Sequence, residues 1–379
     1  MTGAGALRGR NGSLFPSPHP EPGVYCLELA GEDDAFAARE AAAAAAGVEL
    51  IAPGLARAGH VDRDRLRGLA YTHAADELLA RADASVDDAA VALDAAAIDR
   101  EGTVAVRARD VRGLTGVSTR EAERRLGGVL VDRGFAVDLD DPDHELRVLF
   151  SAADGLADPD SDAAAAEQGQ IPPGDGVCVL GWLDGESERD FGERQPTDRP
   201  FFQPGSMAPM DARALANIAG AGPGRRILDP MCGTGGTLIE AGLIGAHPVG
   251  IDAQWKMVHG ARENCRAYLD TEPAILRGDA TRLPLAVDGE GPEAPRTDGN
   301  AVDAVVFDAP YGRQSKIARH SLVDLVGGAL TEARRVAPRA VVVGDRSWSE
   351  AARAAGWTVE TTFERRVHGS LVRHVHLLR

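Results

Sequence analysis

Lysine is almost absent from the sequence: it occurs only at Lys256 and Lys316, and every other basic residue apart from histidine is arginine. Asp and Glu number 58 against 41 Lys and Arg, which gives a formal net charge of −17. This balance argues against a nucleic-acid partner, because phosphate binding is normally driven by a cationic surface. An acid-rich, lysine-poor surface also suits a cytoplasm of very high salt, where repulsion is screened. The negative charge therefore has two explanations: the lack of a nucleic-acid partner, or a halophilic source.

Long apolar runs and clustered cysteines are also lacking. No run approaches the roughly 20 apolar residues of a membrane span, and the first 23 residues lack the apolar core of a signal peptide. The four cysteines form no C-x-x-C pair and have no histidine cluster nearby, so neither a zinc site nor a disulfide framework is indicated. We predict a cytoplasmic protein without a metal or a membrane partner.

The chain has 379 residues, 44% of them hydrophobic, which is enough for at least two domains. Residues 1–23 are rich in Gly, Pro and Ser and are predicted to be a disordered extension. Residues 24–84 predict a small α/β domain with strands at "VYCLELA" and around Leu50 and Leu69. In this domain we predict an Ala-rich helix after the first strand and a helix over His73–Arg81.

Residues 85–151 predict a compact α+β domain: a helix, the strand "GTVAVRAR", the helix "STREAERRLGGVLVDRG", the strand "AVDL", a "DDPDH" turn and the strand "ELRVLFS". Residues 152–198 begin with an acidic stretch punctuated by Pro and Gly, which predicts a linker.

Residues 199–379 have a different sequence pattern from the residues before them. The runs "RRILDP", "HPVGID", "PAILRGDA", "DAVVFDAP" and "RAVVVGD" are apolar and end in Asp or Pro, and helical patterns separate them. Apolar strands alternating with helices predict an α/β fold, a doubly wound parallel sheet covered on both faces. The tail "TVETTFERRVHGSLVRHVHLLR" predicts an antiparallel pair of strands at an edge.

The first strand-to-helix turn of this sheet is "DPMCGTGG", the place where such folds bind ligands. It lacks the G-x-G-x-x-G of nicotinamide enzymes, which disfavours an oxidoreductase, and it lacks a P-loop lysine. Acids follow three successive strands at Asp229, Asp252 and Asp279. Three carboxylates suit an amine, a ribose diol and an adenine amine, and they repel a diphosphate. Cys232 lies in this turn and not at a substrate-facing strand end, so a covalent nucleophile is disfavoured.

The fourth strand ends in "VVFDAPYGR", which resembles the [D/N/S]-P-P-[Y/F] signature of methyltransferases acting on exocyclic amines, with Ala309 replacing the first proline. Such an amine is a poor nucleophile because its lone pair is delocalised into the ring. Asp308 can accept one amine hydrogen, a backbone carbonyl near Pro310 another, and Tyr311 can stack on a flipped base. Asp, Pro and Gly are also ordinary turn residues, so a plain turn is the alternative.

The segment "PFFQPGSM" before "LDPMCGTGG", followed by "DAPYG", resembles the archaeal tRNA (guanine-N2) methyltransferases of position 10. The resemblance implies a Rossmann-like methyltransferase domain that uses S-adenosylmethionine, with Asp229 near the methionine moiety, Asp252 on the ribose and Asp279 near the adenine amine. It implies a ferredoxin-like domain over 24–84, a THUMP domain over 85–151, tRNA as partner and a monomer. The cofactor contacts it implies are Asp229, Pro230, Cys232, Gly233, Thr234, Gly235, Asp252, Asp279 and Ala280.

The arginines of the N-terminal half are the predicted RNA contacts, because the acidic background leaves few other basic clusters there. Solvated arginines paired with neighbouring acids are the alternative. Rival functions are an amine methyltransferase of ribosomal RNA, of another tRNA position or of DNA, and a non-catalytic RNA-binding protein. The predicted RNA contacts are Arg107, Arg109, Arg112, Arg120, Arg124 and Arg125.

Overall fold

The computed structural model describes residues 23–152, 176–286, 301–311, 321–368 and 371–379. Two compact units account for the chain. The first consists of residues 1–26, 51–57 and 76–184, and the second of residues 27–50, 58–75 and 185–379. The predicted disordered extension lies outside the described residues except at its last position. Within the described ranges, no helix is both long and apolar enough to cross a membrane.

The N-terminal elements form an eight-stranded sheet of order β3-β4-β1-β6-β10-β9-β7-β8 and a two-stranded sheet of β2 and β5. The strands are β1 (Tyr25–Leu29), β2 (Ala45–Ala46), β3 (Glu49–Ala52), β4 (Leu55–Ala58), β5 (His60–Val61), β6 (Thr72–Asp83), β7 (Thr103–Asp110), β8 (Ala136–Val137), β9 (His144–Ala152) and β10 (Gly176–Glu186). The helices are α1 (Asp34–Ala41), α2 (Arg63–Leu66), α3 (Val86–Ala95) and α4 (Thr119–Asp132).

The helix predicted over His73–Arg81 is wrong, because these residues belong to strand β6. The segment "THAADELLARAD" is rich in residues that favour helices, and this local preference suggested the helix. In the sheet, β6 lies between β1 and β10, so both of its edges are paired. Pairing on two edges outweighs an intrinsic preference of a few tenths of a kcal/mol per residue. The strand predicted around Leu69 is also wrong, since β6 begins only at Thr72.

The helix and strand order predicted for 85–151 is confirmed as α3, β7, α4, β8 and β9. Its core contains Leu93 of α3, Leu126 of α4 and Phe150 of β9, each almost fully buried. The described part of the predicted linker contains β10, which pairs with β9. The assignments of 24–84 and 85–151 to ferredoxin-like and THUMP domains stay predictions.

The second sheet confirms the predicted doubly wound fold. Its order is β13-β12-β11-β14-β15-β17-β16, parallel from β13 to β15, with the predicted antiparallel pair at the edge. The strands are β11 (Arg226–Asp229), β12 (His247–Asp252), β13 (Ala274–Arg277), β14 (Ala304–Asp308), β15 (Ala340–Gly344), β16 (Val359–His368) and β17 (Leu371–Leu378). The helices are α5 (Pro209–Ala219), α6 (Gly236–Leu243), α7 (Trp255–Tyr268), α8 (Leu322–Val336) and α9 (Ser349–Ala354).

The strands of this sheet are apolar because both faces are covered. Phe307 of β14 and Val342 of β15 are fully buried, and Leu330 of α8 packs in the same core. Leu238 and Val258, from α6 and α7, belong to a second buried cluster. The parallel strands therefore deliver their carboxyl ends, with Asp229, Asp252 and Asp308, to one edge of a rigid core.

Candidate cofactor and catalytic site

The turn after β11 is built around a buried acid. Asp229 is 3% exposed, and its Oδ1 accepts a hydrogen bond from the Met231 amide at 3.0 Å. Burial raises the pKa of the Asp229 carboxyl to about 8, and the charges of Asp252 and Asp308 push the pKa the same way. A cation placed beside Asp229 would lower this pKa again. The site therefore favours a positively charged ligand over an anion.

Two glycines let the backbone turn sharply here. Gly233 has φ +51° and Gly235 has φ +80°, both in the left-handed region that side chains other than glycine rarely adopt. Helix α6 begins directly after Gly235. The Cys232 amide donates to the Ile251 carbonyl at 2.9 Å, which ties the turn to the neighbouring strand β12. Backbone groups of the turn can thus approach a ligand closely.

Asp252 ends β12 and reaches back to the same turn. Its Oδ2 accepts from the Gly233 amide at 3.1 Å, and its Oδ1 accepts from the Gln254 amide at 2.8 Å. Burial raises the pKa of Asp252, and the two backbone hydrogen bonds oppose the rise. The carboxylate is held in one orientation by the turn that it helps to form.

Asp279 follows β13, the next strand of the sheet. Its Oδ1 accepts from the amide and the hydroxyl of Thr281, at 2.9 and 2.7 Å. Ala280 beside it is 5% exposed and packs in the large core of the second sheet. Asp229 and Asp252 are thus the last residues of β11 and β12, and Asp279 follows the adjacent parallel strand β13.

Cys232 is a buried thiol. It is 5% exposed and packs with Leu238 and Ile275. Burial raises the pKa of its thiol well above the usual value, and Asp229 and Asp252 add to the rise. A thiol kept protonated is a poor nucleophile, so Cys232 is poorly suited to a covalent mechanism.

The loop after β14 places Asp308 beside Tyr311. The Tyr311 hydroxyl donates to Asp308 Oδ1, and Arg373 Nε donates to the Tyr311 hydroxyl oxygen at 3.2 Å. Desolvation raises the pKa of the Asp308 carboxyl to about 6, although the Arg373 cation and the Tyr311 hydrogen bond lower it. A carboxylate that is ionised at neutral pH can accept a hydrogen from an amine.

Ala309 makes a contact that a proline could not make. Its amide donates to the Val343 carbonyl at 2.8 Å, and the residue is 2% exposed. This bond extends the ladder between β14 and β15 by one residue beyond Asp308. Alanine therefore fixes the loop through a hydrogen bond, where the related signature has the rigid ring of proline.

Sequence reasoning missed Asn264 and Arg373. Asn264 of α7 donates through Nδ2 to the Phe201 and Thr234 carbonyls, at 2.8 and 2.9 Å. Its Oδ1 accepts from the Phe201 amide at 2.8 Å, so it ties the segment before α5 to the glycine turn after β11. Both residues lie far along the chain from the groups that they contact, and no local pattern marks them.

The six predicted RNA-contacting arginines are all exposed. Arg107 Nη2 donates to the Leu139 carbonyl at 2.6 Å, and its Nε lies 3.8 Å from Glu145. Arg120, Arg124 and Arg125 lie on helix α4. The exposed arginines are accessible to solvent, and their contacts with RNA remain a prediction.

The part of the chain that forms the second sheet is similar in sequence to a known family. Residues 196–374 match the RMKL-like methyltransferase domain UPF0020. Over 253 residues the chain is 38% identical to the tRNA (guanine(10)-N2)-dimethyltransferase of Methanothermobacter thermautotrophicus, covering 66% of this chain and 64% of that enzyme. It is 29% identical over 288 residues to the enzyme of the same name from Pyrococcus abyssi, covering 73% and 74%.

Among solved structures, TrmN from Thermus thermophilus aligns with 94% of this chain and 99% of its own, at 24% identity and a TM-score of 0.46. The family match covers the glycine turn, the three strand-end acids and the Asp308 loop. Residues 196–374 are therefore a methyltransferase domain of the RMKL-like UPF0020 family.

Proposed function

We propose that this protein transfers methyl groups from S-adenosylmethionine to the exocyclic N2 of a guanosine in tRNA, at position 10, once or twice. The observation that carries the proposal is the buried edge where Asp229, Asp252 and Asp308 meet, with Tyr311 donating to Asp308. The two archaeal relatives are named for this reaction. We expect a monomer in the cytoplasm.

The residues at the turn fit the cofactor. Asp229, whose pKa is raised by burial, suits the cationic methionine end, and the fixed carboxylate of Asp252 suits a ribose diol. Asp279 and Ala280 would lie beside the adenine, and Pro230, Cys232, Thr234 and the two glycines would line the turn. When bound, the cofactor supplies an electrophilic methyl group. The protein's part is to hold the acceptor amine in line with it.

Asp308 would hold that amine. Its carboxylate accepts one amine hydrogen, and a carbonyl near Pro310 accepts another, which favours a pyramidal nitrogen with an available lone pair. The nitrogen becomes strongly acidic only after the methyl has transferred, so a carboxylate of pKa near 6 suffices to take the proton. Tyr311 would stack on the flipped base while its hydroxyl stays near Asp308.

Methyl transfer from labelled cofactor to an unmodified tRNA transcript tests the proposal. We expect methyl label in N2-methylguanosine and N2,N2-dimethylguanosine, identified by mass spectrometry of the nucleosides. A matched transcript with inosine at position 10 lacks only the exocyclic amine and should take no label. Label in the inosine transcript would move the target to another position. Label only in ribosomal RNA or DNA would favour the rival substrates.

Asp252→Ala should weaken cofactor binding by about 2–3 kcal/mol, because it removes a charge-assisted acceptor for the ribose hydroxyls. The same change frees the Gly233 amide, which adds to the loss. Isothermal calorimetry measures the affinity for S-adenosylmethionine. Asp270→Ala is the control, since it removes an exposed acid that follows α7. If the two variants bound S-adenosylmethionine with equal affinity, Asp252 would not be a cofactor contact.

Reversing the charge of Arg124 and Arg125 together should weaken tRNA binding and flatten its salt dependence. Each lost phosphate contact lowers the slope of log K against log salt by about 0.7–0.9. Filter binding across a salt series measures both quantities. Arg353→Glu, a charge reversal at an exposed position of helix α9, is the control for a change of surface charge alone. An unchanged slope in the double variant would place the RNA surface elsewhere.

A further inference from the structure

A line of side chains connects helix α5 to the catalytic loop. Asp211 Oδ2 accepts from Arg373 Nη1 at 3.2 Å. Arg373 lies on β17 and donates through Nε to the Tyr311 hydroxyl oxygen at 3.2 Å. The Tyr311 hydroxyl donates to Asp308 Oδ1. Three elements that are distant in the sequence thus converge on one carboxylate.

The direction of each hydrogen bond follows from the chemistry of arginine. A guanidinium group carries donors and no acceptor, so the Tyr311 oxygen must accept from Arg373. The single hydroxyl proton is then free to point to Asp308, which can only accept when it is ionised. Arg373 therefore selects one rotamer of the Tyr311 hydroxyl. This rotamer occupies Oδ1 of Asp308 and orients the carboxylate.

Arg373 is itself held in place. It is 7% exposed, and its partner Asp211 is shared with two more groups. Asp211 Oδ1 accepts from the Tyr71 hydroxyl at 2.6 Å and from Arg365 Nη2 at 3.3 Å. The Arg365 guanidinium lies 4.0 Å from the ring centre of Phe36 and 4.5 Å from that of Tyr71. An aspartate fixed from both sides leaves Arg373 little freedom to turn away from Tyr311.

We propose that Arg373 is a positioning residue for methyl transfer: it fixes the Tyr311 hydroxyl on Asp308 Oδ1, so that Oδ2 is presented to the substrate amine. This inference rests on the proposed function, because it assigns how the acceptor carboxylate is oriented. It also gives Tyr311 a second task besides stacking. The hydroxyl orients the carboxylate, and the ring contacts the base.

Arg373 acts on the charge of Asp308 as well. The charged and titratable groups that influence the Asp308 carboxyl are Arg373 from β17, Tyr311 from its own loop, Asp211 from α5, Asp345 after β15 and Asp229 at the end of β11. Arg373 is the cation among them, and it lowers the pKa that burial raises. Loss of this cation should raise the pKa of Asp308 further. The rate should fall at low pH as Asp308 becomes protonated, and this fall, the acid limb of the pH profile, would then move to higher pH.

Three variants test the proposal: Arg373→Met, Arg373→Lys and Tyr311→Phe. We expect Arg373→Met to lower kcat by about 10- to 100-fold, with KM for tRNA nearly unchanged, because misoriented reacting groups slow the chemical step. Its acid limb should move to higher pH. Arg373→Lys keeps the charge, so its limb should stay in place while kcat falls. Tyr311→Phe keeps the ring, so it should match Arg373→Met in kcat and bind tRNA normally. Arg366→Met, an exposed change on the same hairpin, is the control.

The outcomes separate this inference from the proposed function. If the parent protein does not methylate tRNA, the proposed function fails. Infrared titration of the Asp308 carboxyl then tests whether Arg373 acts on this group: the titration should shift to higher pH in Arg373→Met, and an unchanged titration overturns the inference. If the parent is active and Arg373→Met keeps its kcat and acid limb, Arg373 is only structural. If Arg373→Met does not fold, Arg373→Lys and Tyr311→Phe decide, and parental kcat in both overturns the proposal.

Discussion

Asp308→Asn is expected to lower the single-turnover rate of methyl transfer by about 10²–10³-fold, the size of loss that follows removal of one hydrogen-bonding group acting in a transition state. The amide is nearly isosteric, so cofactor and tRNA affinities should stay close to the parental values. Its oxygen can still accept from the Tyr311 hydroxyl, but its NH2 group would then face the substrate amine and cannot accept a hydrogen from it. The loss should therefore fall on the chemical step alone.

The pH dependence of the rate should also differ between the parent and Asp308→Asn. The acceptor is the carboxylate, which exists above the folded pKa of about 6. The parental rate should therefore fall as the pH drops through about 6, and the asparagine variant should lack this limb. Asp345→Asn removes an acid that influences Asp308 without joining the loop, and it should keep the parental rate at neutral pH. An asparagine variant as fast as the parent would show that Asp308 is only a turn residue.

Glu240→Gln is expected to lower the free energy of unfolding by about 3–5 kcal/mol, the usual effect of removing one partner from a buried ion pair. Glu240 of α6 is fully buried. Its Oε1 lies 3.0 Å from Arg194 Nε, and its Oε2 lies 2.8 Å from Arg213 Nη2. The neutral side chain would leave these two buried cations without their shared carboxylate. Denaturant titration of the parent and the variant measures the change.

A surface pair on the same chain offers a matched control. Arg67 Nη2 lies 2.5 Å from Glu188 Oε1, but both side chains are more than half exposed. Glu188→Gln should therefore cost less than about 1 kcal/mol. Adding Arg213→Met to Glu240→Gln removes one uncompensated cation, so part of the lost stability should return. If Glu240→Gln and Glu188→Gln lowered the free energy of unfolding equally, the larger contribution expected of the buried ion pair would be wrong.

Several features of the fold were predictable because they depend on neighbours in the sequence. The five parallel strands are short apolar runs, and each ends at an acid or a proline near the position found in the structure. The turn after β11 was predictable because glycines at 233 and 235 permit a left-handed backbone. Strand β6 was not predictable in this way, because its pairing with β1 and β10 comes from distant parts of the chain.

The sequence by itself determined the order of the elements in the methyltransferase domain, the place of its glycine turn and the place of the loop that begins at Asp308, since each of these depends on a local pattern. Only the tertiary structure decided that Arg373, held by Asp211, contacts Tyr311 of the loop after β14, and that Glu240 lies between two arginines. It also decided the raised pKa of Asp229. Burial, and contacts between residues that are far apart in the chain, arise only when the elements pack, and they set the charge and orientation of every group in the site.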